Sequence, residues 1–301
     1  MIRYYLLGIF SVLFSSVAAQ PQELWATGTA LPNGPCQLVL RPDGKFRFAG
    51  ALAEGELLLM TTSTFQEGVT QFLKPKLIDS YLINYGLTYI LTTDKNNAGW
   101  VVPFSEETYR FIVDTTDKTV RGELFLPWNE LLIAGSAFPG GSDNTEWKRD
   151  NMLPFVRDHE DPYVFEWTGE LGIYEHVIEP GHFKLEGQMT WGPRELHPYN
   201  HDEDILEATQ LRTGGDDTKW QVKTPGTYHL RVNLFTETIQ AELLSASTRS
   251  IQETTSIQTV NDASSHIDHI YDLQGTAHHH LRQGLNIVRQ ADGTIKKVLV
   301  K

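Results

Sequence analysis

The chain of 301 residues has a single cysteine, Cys36, and therefore cannot form an internal disulfide. No cysteine stands at the end of the apolar N-terminal segment either, which excludes lipid attachment at that point. The stability of the fold must therefore come from buried apolar surface rather than from cross-links.

Long apolar runs are missing beyond the N-terminus, so no later membrane span is expected. The run Tyr4–Phe14 is itself too short to span a bilayer, and it lies between the basic Arg3 and the small residues Val17-Ala18-Ala19. This pattern predicts a signal peptide over residues 1–19 that is cleaved after Ala19; an uncleaved anchor is the alternative. We expect an exported protein, located at the cell surface or outer membrane or released outside the cell.

Basic residues are scarce, since 25 Lys and Arg stand against 38 Asp and Glu, for a net charge of −13. Nucleic acids and anionic lipids repel a surface of this sign. We therefore expect no nucleic-acid partner. The negative charge is compatible with neutral ligands such as glycans.

Helical periodicity is also absent, and the sequence predicts an all-β protein. Short strand-like runs are bounded by Gly, Pro, Asn or Asp. The stretch Phe65–Asn84 is ambiguous and is compatible with a short helix. The strands predicted before residue 127 are Leu24–Thr27, Gln37–Leu40, Lys45–Phe48, Glu56–Thr61, Gly86–Thr92, Gly99–Val102, Thr108–Thr115 and Thr119–Leu126.

The chain contains an internal duplication. Residues Tyr109–Phe125 align without gaps on Tyr228–Leu244, and both segments read as a strand, a polar turn and a returning strand. A tryptophan precedes each hairpin, at Trp100 and Trp220. A period of roughly 110 residues is too long for a solenoid and fits two β-sandwich domains in tandem.

The duplication predicts the domain boundaries. We expect one sandwich domain over residues 20–128 and a second over residues 129–245. Residues 246–265 are rich in Ser, Thr and Gln, which predicts a linker. Residues 266–301 hold three short predicted strands and are expected to form a small β-module.

Motifs of nucleophilic catalysis are absent from the sequence: it has no Gly-x-Ser-x-Gly elbow and no phosphate-cradling glycine loop. Two acidic loops, Asp158–Asp161 and Asp202–Asp204, leave a glycoside hydrolase with paired carboxyl groups as an alternative. Such runs are usually solvated, and we expect a protein that is not an enzyme.

Metal binding is a further alternative for the second of these loops. His197 and His201, with Asp202 and Asp204, carry side chains that zinc or calcium can bind, but they show no tight ligand spacing. We expect neither a metal nor another cofactor.

Carbohydrate binding is the function that the aromatic residues favour. Sugar rings stack their CH faces on aromatic side chains, while planar Arg and amide groups bind the hydroxyls. Trp147 and Trp191 lie in polar loops, where a large ring has few packing partners. Trp220 begins a strand and belongs either to the core or to a site. The segment from Trp191 to Tyr199 also contains Arg194 and His197.

Several short motifs follow one another in the second half of the chain. In order, they are Leu132–Ala137, the loop with Trp147, Tyr163–Leu171, Gly181–Leu185, Trp191-Gly192 and Gly226–Leu230. This order resembles the repeats of the SusE/SusF-type outer-membrane starch-binding proteins of Bacteroidetes. The resemblance covers residues 130–245 well and residues 22–126 weakly.

The resemblance implies tandem immunoglobulin-like sandwiches that hold a polysaccharide, in the first place a starch-like glucan, without cleaving it. Trp147 and Trp191 match the loop tryptophans of the motif, and Arg194 or Lys184 is the expected polar partner. Tyr199 and Trp220 complete the candidate glycan-binding residues. The implied partners are a polysaccharide or oligosaccharide and other outer-membrane glycan-uptake proteins.

Two features depart from this family. The lipid-bearing cysteine is missing, and the C-terminal segments Ile270–Gly275, Gly284–Val288 and Lys297–Lys301 resemble a short form of a type IX secretion sorting domain. That resemblance implies export or surface attachment. The alternative from another class is a structural or adhesive surface protein whose sandwiches are spacers without a glycan site.

Overall fold

The computed structural model describes residues 21–96, 98–247, 267–271, 277–278, 284–290 and 295–300. Within these ranges every regular element is a strand except one 3-10 turn, Arg149–Asn151. The predicted all-β class is therefore confirmed. No helix of the described part is long and apolar enough to cross a membrane. The predicted signal peptide and nearly all of the predicted linker lie outside the described residues.

The first sandwich encloses its core between two sheets. Its strands are β1 Trp25–Thr27, β2 Cys36–Gln37, β3 Val39–Leu40, β4 Phe46–Leu52, β5 Gly55–Met60, β6 Phe72–Pro75, β7 Asn84–Thr92, β8 Trp100–Val102, β9 Glu106–Asp114 and β10 Thr119–Leu124. One sheet has the order β2-β1-β5-β6-β7, with β8 paired to β5, and the other has the order β3-β4-β9-β10. Leu57 from one sheet and Phe48 and Phe111 from the other are buried in the same core.

The second sandwich is built in the same way. Its strands are β11 Leu132–Gly135, β12 Leu153–Pro154, β13 Val156–Arg157, β14 Val164–Leu171, β15 His182–Glu186, β16 Glu195–His197, β17 Glu203–Asp204, β18 Arg212–Thr213, β19 Trp220–Gln221, β20 Gly226–Asn233 and β21 Thr238–Ala246. One sheet runs β12-β11-β15-β16-β18, with β19 paired to β15 and to β17, and the other runs β13-β14-β20-β21. Phe183 and Leu185 from the first sheet and Tyr228 from the second share one core.

A separate four-stranded sheet follows near the C-terminus. Its strands are β22 Ile267–Tyr271, β23 Ala277–His278, β24 Gly284–Gln290 and β25 Ile295–Val300, and their order is β23-β22-β24-β25. The three strands predicted for this region correspond to β22, β24 and β25. The two-residue β23 adds a fourth strand at one edge.

The duplication is visible in the fold, because the second sandwich repeats the strand pairings of the first and adds one short strand, β17. The order β3-β4-β9-β10 recurs as β13-β14-β20-β21, and β19 takes the place of β8. The Tyr109 hydroxyl donates to the Phe104 carbonyl at 2.8 Å, and the aligned Tyr228 hydroxyl donates to the Thr224 carbonyl. A tyrosine whose hydroxyl bonds to the backbone a few residues upstream is a feature of immunoglobulin-like sandwiches.

The hairpin turns of the two copies repeat the same chemistry. The side-chain oxygen of Asp114 accepts hydrogen bonds from the backbone N–H groups two and three positions later, and that of Asn233 does the same. Each turn then places one residue in the left-handed region, Lys118 at φ 53° and Glu237 at φ 54°. Asp and Asn favour such turns because their short side chains bond to the backbone just ahead.

The structure divides one predicted strand of the first sandwich and assigns a strand to the ambiguous stretch. Residues Gln37–Leu40 do not form one strand: β2 joins one sheet and β3 the other, and Leu38 between them is buried in the core. The stretch Phe65–Asn84 contains no helix. It contributes β6 instead, because Phe72 and Leu73 are both buried there.

The sandwiches meet at the turn between β20 and β21. Glu237 is buried in this contact, with its carboxylate 2.9 Å from Nε of Arg47 and 3.6 Å from Nη1 of Arg110. Phe125, which follows β10, packs against Phe235, with ring centroids 6.0 Å apart. The contact therefore combines ion pairs and aromatic packing.

Replacing Tyr228 by Phe should destabilise the protein by about 1 kcal/mol, since a buried hydrogen bond is lost while the ring stays in place. Equilibrium unfolding in urea measures the change. The fully exposed Tyr85 provides the control, because Tyr85→Phe removes a hydroxyl that only contacts solvent. Equal unfolding free energies for Tyr228→Phe and Tyr85→Phe would contradict this role of the corner.

Candidate functional site

The candidate site lies on the outer face of the sheet that contains β11, β15 and β19. Side chains alternate along β15, so Phe183 and Leu185 enter the core while Lys184 and Glu186 face the other side. Trp220 of β19 pairs with Phe183, which places the preceding residue, Lys219, beside Lys184 on the outer face. Loops cover this face, because Lys184 is only 6% exposed and Glu186 is fully buried.

A shallow groove of about 360 Å³ opens above these residues. We call it the tryptophan groove. Four loops form it: the loop between β11 and β12 carries Trp147, the loop between β14 and β15 carries Glu179, the loop between β15 and β16 carries Trp191, and the loop before β19 carries Asp217. Its lining residues are Glu146, Trp147, Ile178, Glu179, Lys184, Trp191, Asp217 and Lys219.

The ammonium group of Lys184 joins β15 to the start of β16 and to the loop before β19. It donates to Glu195 at 3.1 Å and to Asp217 at 3.2 Å, and it lies 3.4 Å from the carboxylate of Glu186. Burial opposes the charge of Lys184, but the hydrogen bond to Glu195 and the nearby carboxylates outweigh it and raise the lysine pKa. Lys184 therefore stays protonated beneath the groove.

Trp191 is held directly above this ammonium group. The Nζ atom of Lys184 lies 5.1 Å from the centre of the Trp191 ring, a cation–π contact. Glu195 fixes the same loop, since its Oε1 atom accepts the backbone N–H of Gly192 at 2.9 Å. The side chain remains 44% exposed, so the ring has a charged support and an open surface.

Trp147 is half-buried at the other side of the groove. It packs on Leu132, Ala134 and Met152. Ala134 is the β11 partner of Lys184, so Trp147 and Lys184 occupy the same face of the sheet. The ammonium group of Lys219 lies 5.4 Å from the centre of the Trp147 ring.

Charges of opposite sign alternate along the floor of the groove. Asp217 accepts from Lys184 through one oxygen and from Lys219 through the other, at 3.1 Å, and Lys219 also lies 3.5 Å from Glu179. Asp217 and Glu179 keep exposed side chains. Their oxygens can accept hydrogen bonds from the hydroxyls of a neutral ligand.

Glu186 is the most strongly perturbed carboxyl group beneath the groove. Burial raises the pKa of Glu186 to about 8; the Lys184 ammonium opposes the shift and the Glu195 carboxylate adds to it. The pKa of Glu195 moves the other way, because its bonds to Lys184 outweigh its partial burial. At neutral pH Glu186 thus holds its proton while Glu195 is ionised.

Of the six residues predicted from the sequence, the structure brings Trp147, Trp191 and Lys184 together. Trp220 is fully buried and packs on Phe183 at 5.6 Å, so it offers no face to a ligand.

The other two predicted residues lie away from the groove. Arg194 is exposed, and its guanidinium carbon is 5.9 Å from the ring centre of Trp128. Tyr199 contacts the first sandwich, where Arg47 lies 5.9 Å from its ring centre. Arg194 precedes β16 and Tyr199 follows it, so their distance from Trp191 along the chain did not indicate which side each would face.

Sequence reasoning missed Lys219, Asp217 and Glu179. One signal was present: Lys219 directly precedes Trp220, so alternation predicts that Lys219 faces outward if Trp220 faces inward. The loop residues Asp217 and Glu179 carry no such pattern.

The first sandwich lacks these charges at the equivalent positions. The pairings of β1 with β5 and of β11 with β15 place Leu58 at the position of Lys184 and Met60 at that of Glu186. Met60 pairs with Phe72 where Glu186 pairs with Glu195. The polar floor is therefore specific to the second sandwich.

The histidines considered as metal ligands point to different partners. His197 is buried and its Nδ1 atom bonds to the carbonyl of Thr218, whereas the exposed His201 contacts Asp202 at 2.6 Å. Asp202 also contacts His182 at 3.0 Å. In the described part of the chain, no three His, Cys, Asp or Glu side chains are grouped so as to hold a metal ion.

Few known proteins are similar to this chain. No protein-family model matches the chain, and no curated protein does. Among solved structures, it is similar to SusF from Bacteroides thetaiotaomicron, with 11% identity and a TM-score of 0.32. The match covers 90% of this chain and 58% of SusF.

The pKa of Glu186 predicts how stability depends on pH. The unfolded carboxyl group ionises near its ordinary value of 4.5, whereas the folded one keeps its proton until about pH 8. The contribution of Glu186 to stability is therefore lost as the pH rises between these values. The unfolding free energy of Glu186→Gln minus that of the wild type should therefore increase as the pH rises from 5 to 8. The increase should exceed about 1.4 kcal/mol, the equivalent of one pKa unit.

Urea unfolding at a series of pH values measures this difference. The variant Glu242→Gln serves as the control, because Glu242 is exposed on β21. Its stability should follow that of the wild type. A constant offset between Glu186→Gln and wild type across this pH range would show that Glu186 does not titrate there.

Proposed function

We propose that the chain is a non-catalytic glycan-binding protein whose second sandwich holds a neutral polysaccharide, in the first place a starch-like glucan, in the tryptophan groove. The observation that carries the proposal is the pairing of an exposed, charge-supported Trp191 ring with Trp147 in one open groove. Flat aromatic faces suit the CH faces of sugars, and the carboxylates of Asp217 and Glu179 suit their hydroxyls.

Binding without cleavage is favoured by the position of the carboxyl groups. A glycoside hydrolase needs one protonated and one ionised carboxyl group on either side of the scissile bond. Glu186 has the raised pKa of such an acid, but it is fully buried, so no substrate oxygen can reach it.

We further propose that the protein acts outside the cytoplasm, at the cell surface or outer membrane or in the medium, where polysaccharides are encountered. This part rests on the N-terminal sequence, with its short apolar run and small-residue cleavage site. Other glycan-uptake proteins of the outer membrane are proposed as partners on the resemblance of the repeats alone.

The variant Trp191→Ala should weaken binding of maltoheptaose by about tenfold or more, because truncating a central tryptophan of a binding site costs about 2 kcal/mol or more and 1.4 kcal/mol is a factor of ten. Trp147→Ala should weaken it as well. Isothermal titration calorimetry gives the affinities, and electrophoresis through gels containing soluble starch shows the retardation of the wild type.

Tyr85→Ala is the matched control, since Tyr85 is a fully exposed aromatic residue of the first sandwich. It should bind like the wild type. Thermal unfolding of each variant checks that the fold is intact, above all for Trp147→Ala, whose ring packs on apolar neighbours. Absence of retardation by any α- or β-glucan would instead favour a structural or adhesive protein with spacer sandwiches.

A further inference from the structure

A second cavity lies between the two sandwiches, away from the tryptophan groove, and we call it the arginine cleft. It encloses about 380 Å³. Arg41, Arg47 and Arg110 of the first sandwich line one side, and the turn around Glu237 lines the other. Apolar side chains complete the walls, among them Val39 and Phe235.

Two of the three arginines have carboxylate partners. Arg47 makes two hydrogen bonds to Asp43, at 3.1 and 2.9 Å, and lies 2.9 Å from Glu237. Arg110 bonds to Glu123 at 2.6 Å and lies 3.6 Å from Glu237. The charges of Arg47 and Arg110 are therefore balanced within the protein.

Arg41 differs from both. Only 7% of Arg41 is exposed to solvent, and one of its Nη atoms donates to the Thr236 carbonyl at 2.7 Å. Its Nε atom is buried without a hydrogen-bond partner. Among the residues that the structure describes, Arg41 makes no ion pair; burial lowers its pKa, and the more distant carboxylates of Glu237 and Asp43 offset this only in part. Arginine does not lose its proton in proteins, so a buried cation is left with an unused donor.

We propose that the arginine cleft binds an organic carboxylate, which accepts hydrogen bonds from Arg41. The planar guanidinium matches a carboxylate, and the apolar walls suit an organic body rather than a bare ion. A sugar acid and a free organic acid share this chemistry.

This site is distinct from the proposed glycan site. The arginine cleft is built from β3, β4, β9 and the turn after β20, whereas the tryptophan groove lies on the sheet of β11, β15 and β19. A ligand in the cleft would contact both sandwiches. Its binding should therefore also raise the thermal stability of the protein.

Isothermal titration calorimetry of the full chain tests the proposal with glucuronate, succinate and glucose as probes. The wild type should bind at least one of the two acids and show no heat with glucose. Preference for glucuronate identifies a sugar acid as the source, and preference for succinate identifies a free acid. Failure of both acids to bind overturns the proposal.

Two variants locate the site. Arg41→Met removes the donor and keeps most of the side-chain length, and it should weaken binding at least tenfold. Thr209→Trp should do the same by filling the cleft, and it leaves every arginine in place, since Thr209 is an exposed lining residue. If Arg41→Met does not fold, Thr209→Trp decides the question.

Arg121→Met is the matched control, because Arg121 is an exposed arginine of the same sandwich that does not line this cleft. It should bind like the wild type. If Arg121→Met weakens binding as much as Arg41→Met does, the proposal is overturned. Unchanged binding in Thr209→Trp also overturns it. Binding of maltoheptaose should persist in Arg41→Met. The outcome at the arginine cleft is thus independent of the outcome at the tryptophan groove.

Discussion

The tryptophan groove depends on the ion pairs that the buried ammonium group of Lys184 makes with the carboxylates around it. This ammonium group lies on the covered face of a sheet and bonds to Glu195, the first residue of β16, and to Asp217, in the loop before β19. Removing one partner of a buried charge group leaves the others uncompensated, so the loops and the strand hold one another in place. The exposed ring of Trp191 rests on this arrangement, and its position follows from charge pairing rather than from apolar packing.

The two sandwiches show how a duplicated scaffold can acquire a site on one copy only. Strand pairings, tyrosine corners and hairpin turns are shared, because they maintain the backbone and the core. The outer face is free to differ, since core packing does not specify it. Leu58 and Met60 occupy the positions that Lys184 and Glu186 occupy in the second copy. The change from apolar to charged residues creates the floor of the groove.

Much of the fold was predictable from the sequence because alternation and turn residues are local signals. The same signals separated Trp147 and Trp191, in polar loops, from the strand residues. They did not separate Trp220 from a surface tryptophan, because alternation along a strand does not say which face is covered. The splitting of Gln37–Leu40 and the contact of Tyr199 with Arg47 depend on how distant segments pack, and no local pattern reports that.

The most direct test of the central claim is a titration with maltoheptaose that follows the indole N–H signals in ¹H–¹⁵N spectra. The chain has seven tryptophans, so each signal can be assigned by single substitution. We predict that the signals of Trp191 and Trp147 shift, while those of the buried Trp100 and Trp220 stay unchanged. Shifts confined to tryptophans outside the groove, or no shift at a saturating concentration, would contradict the account.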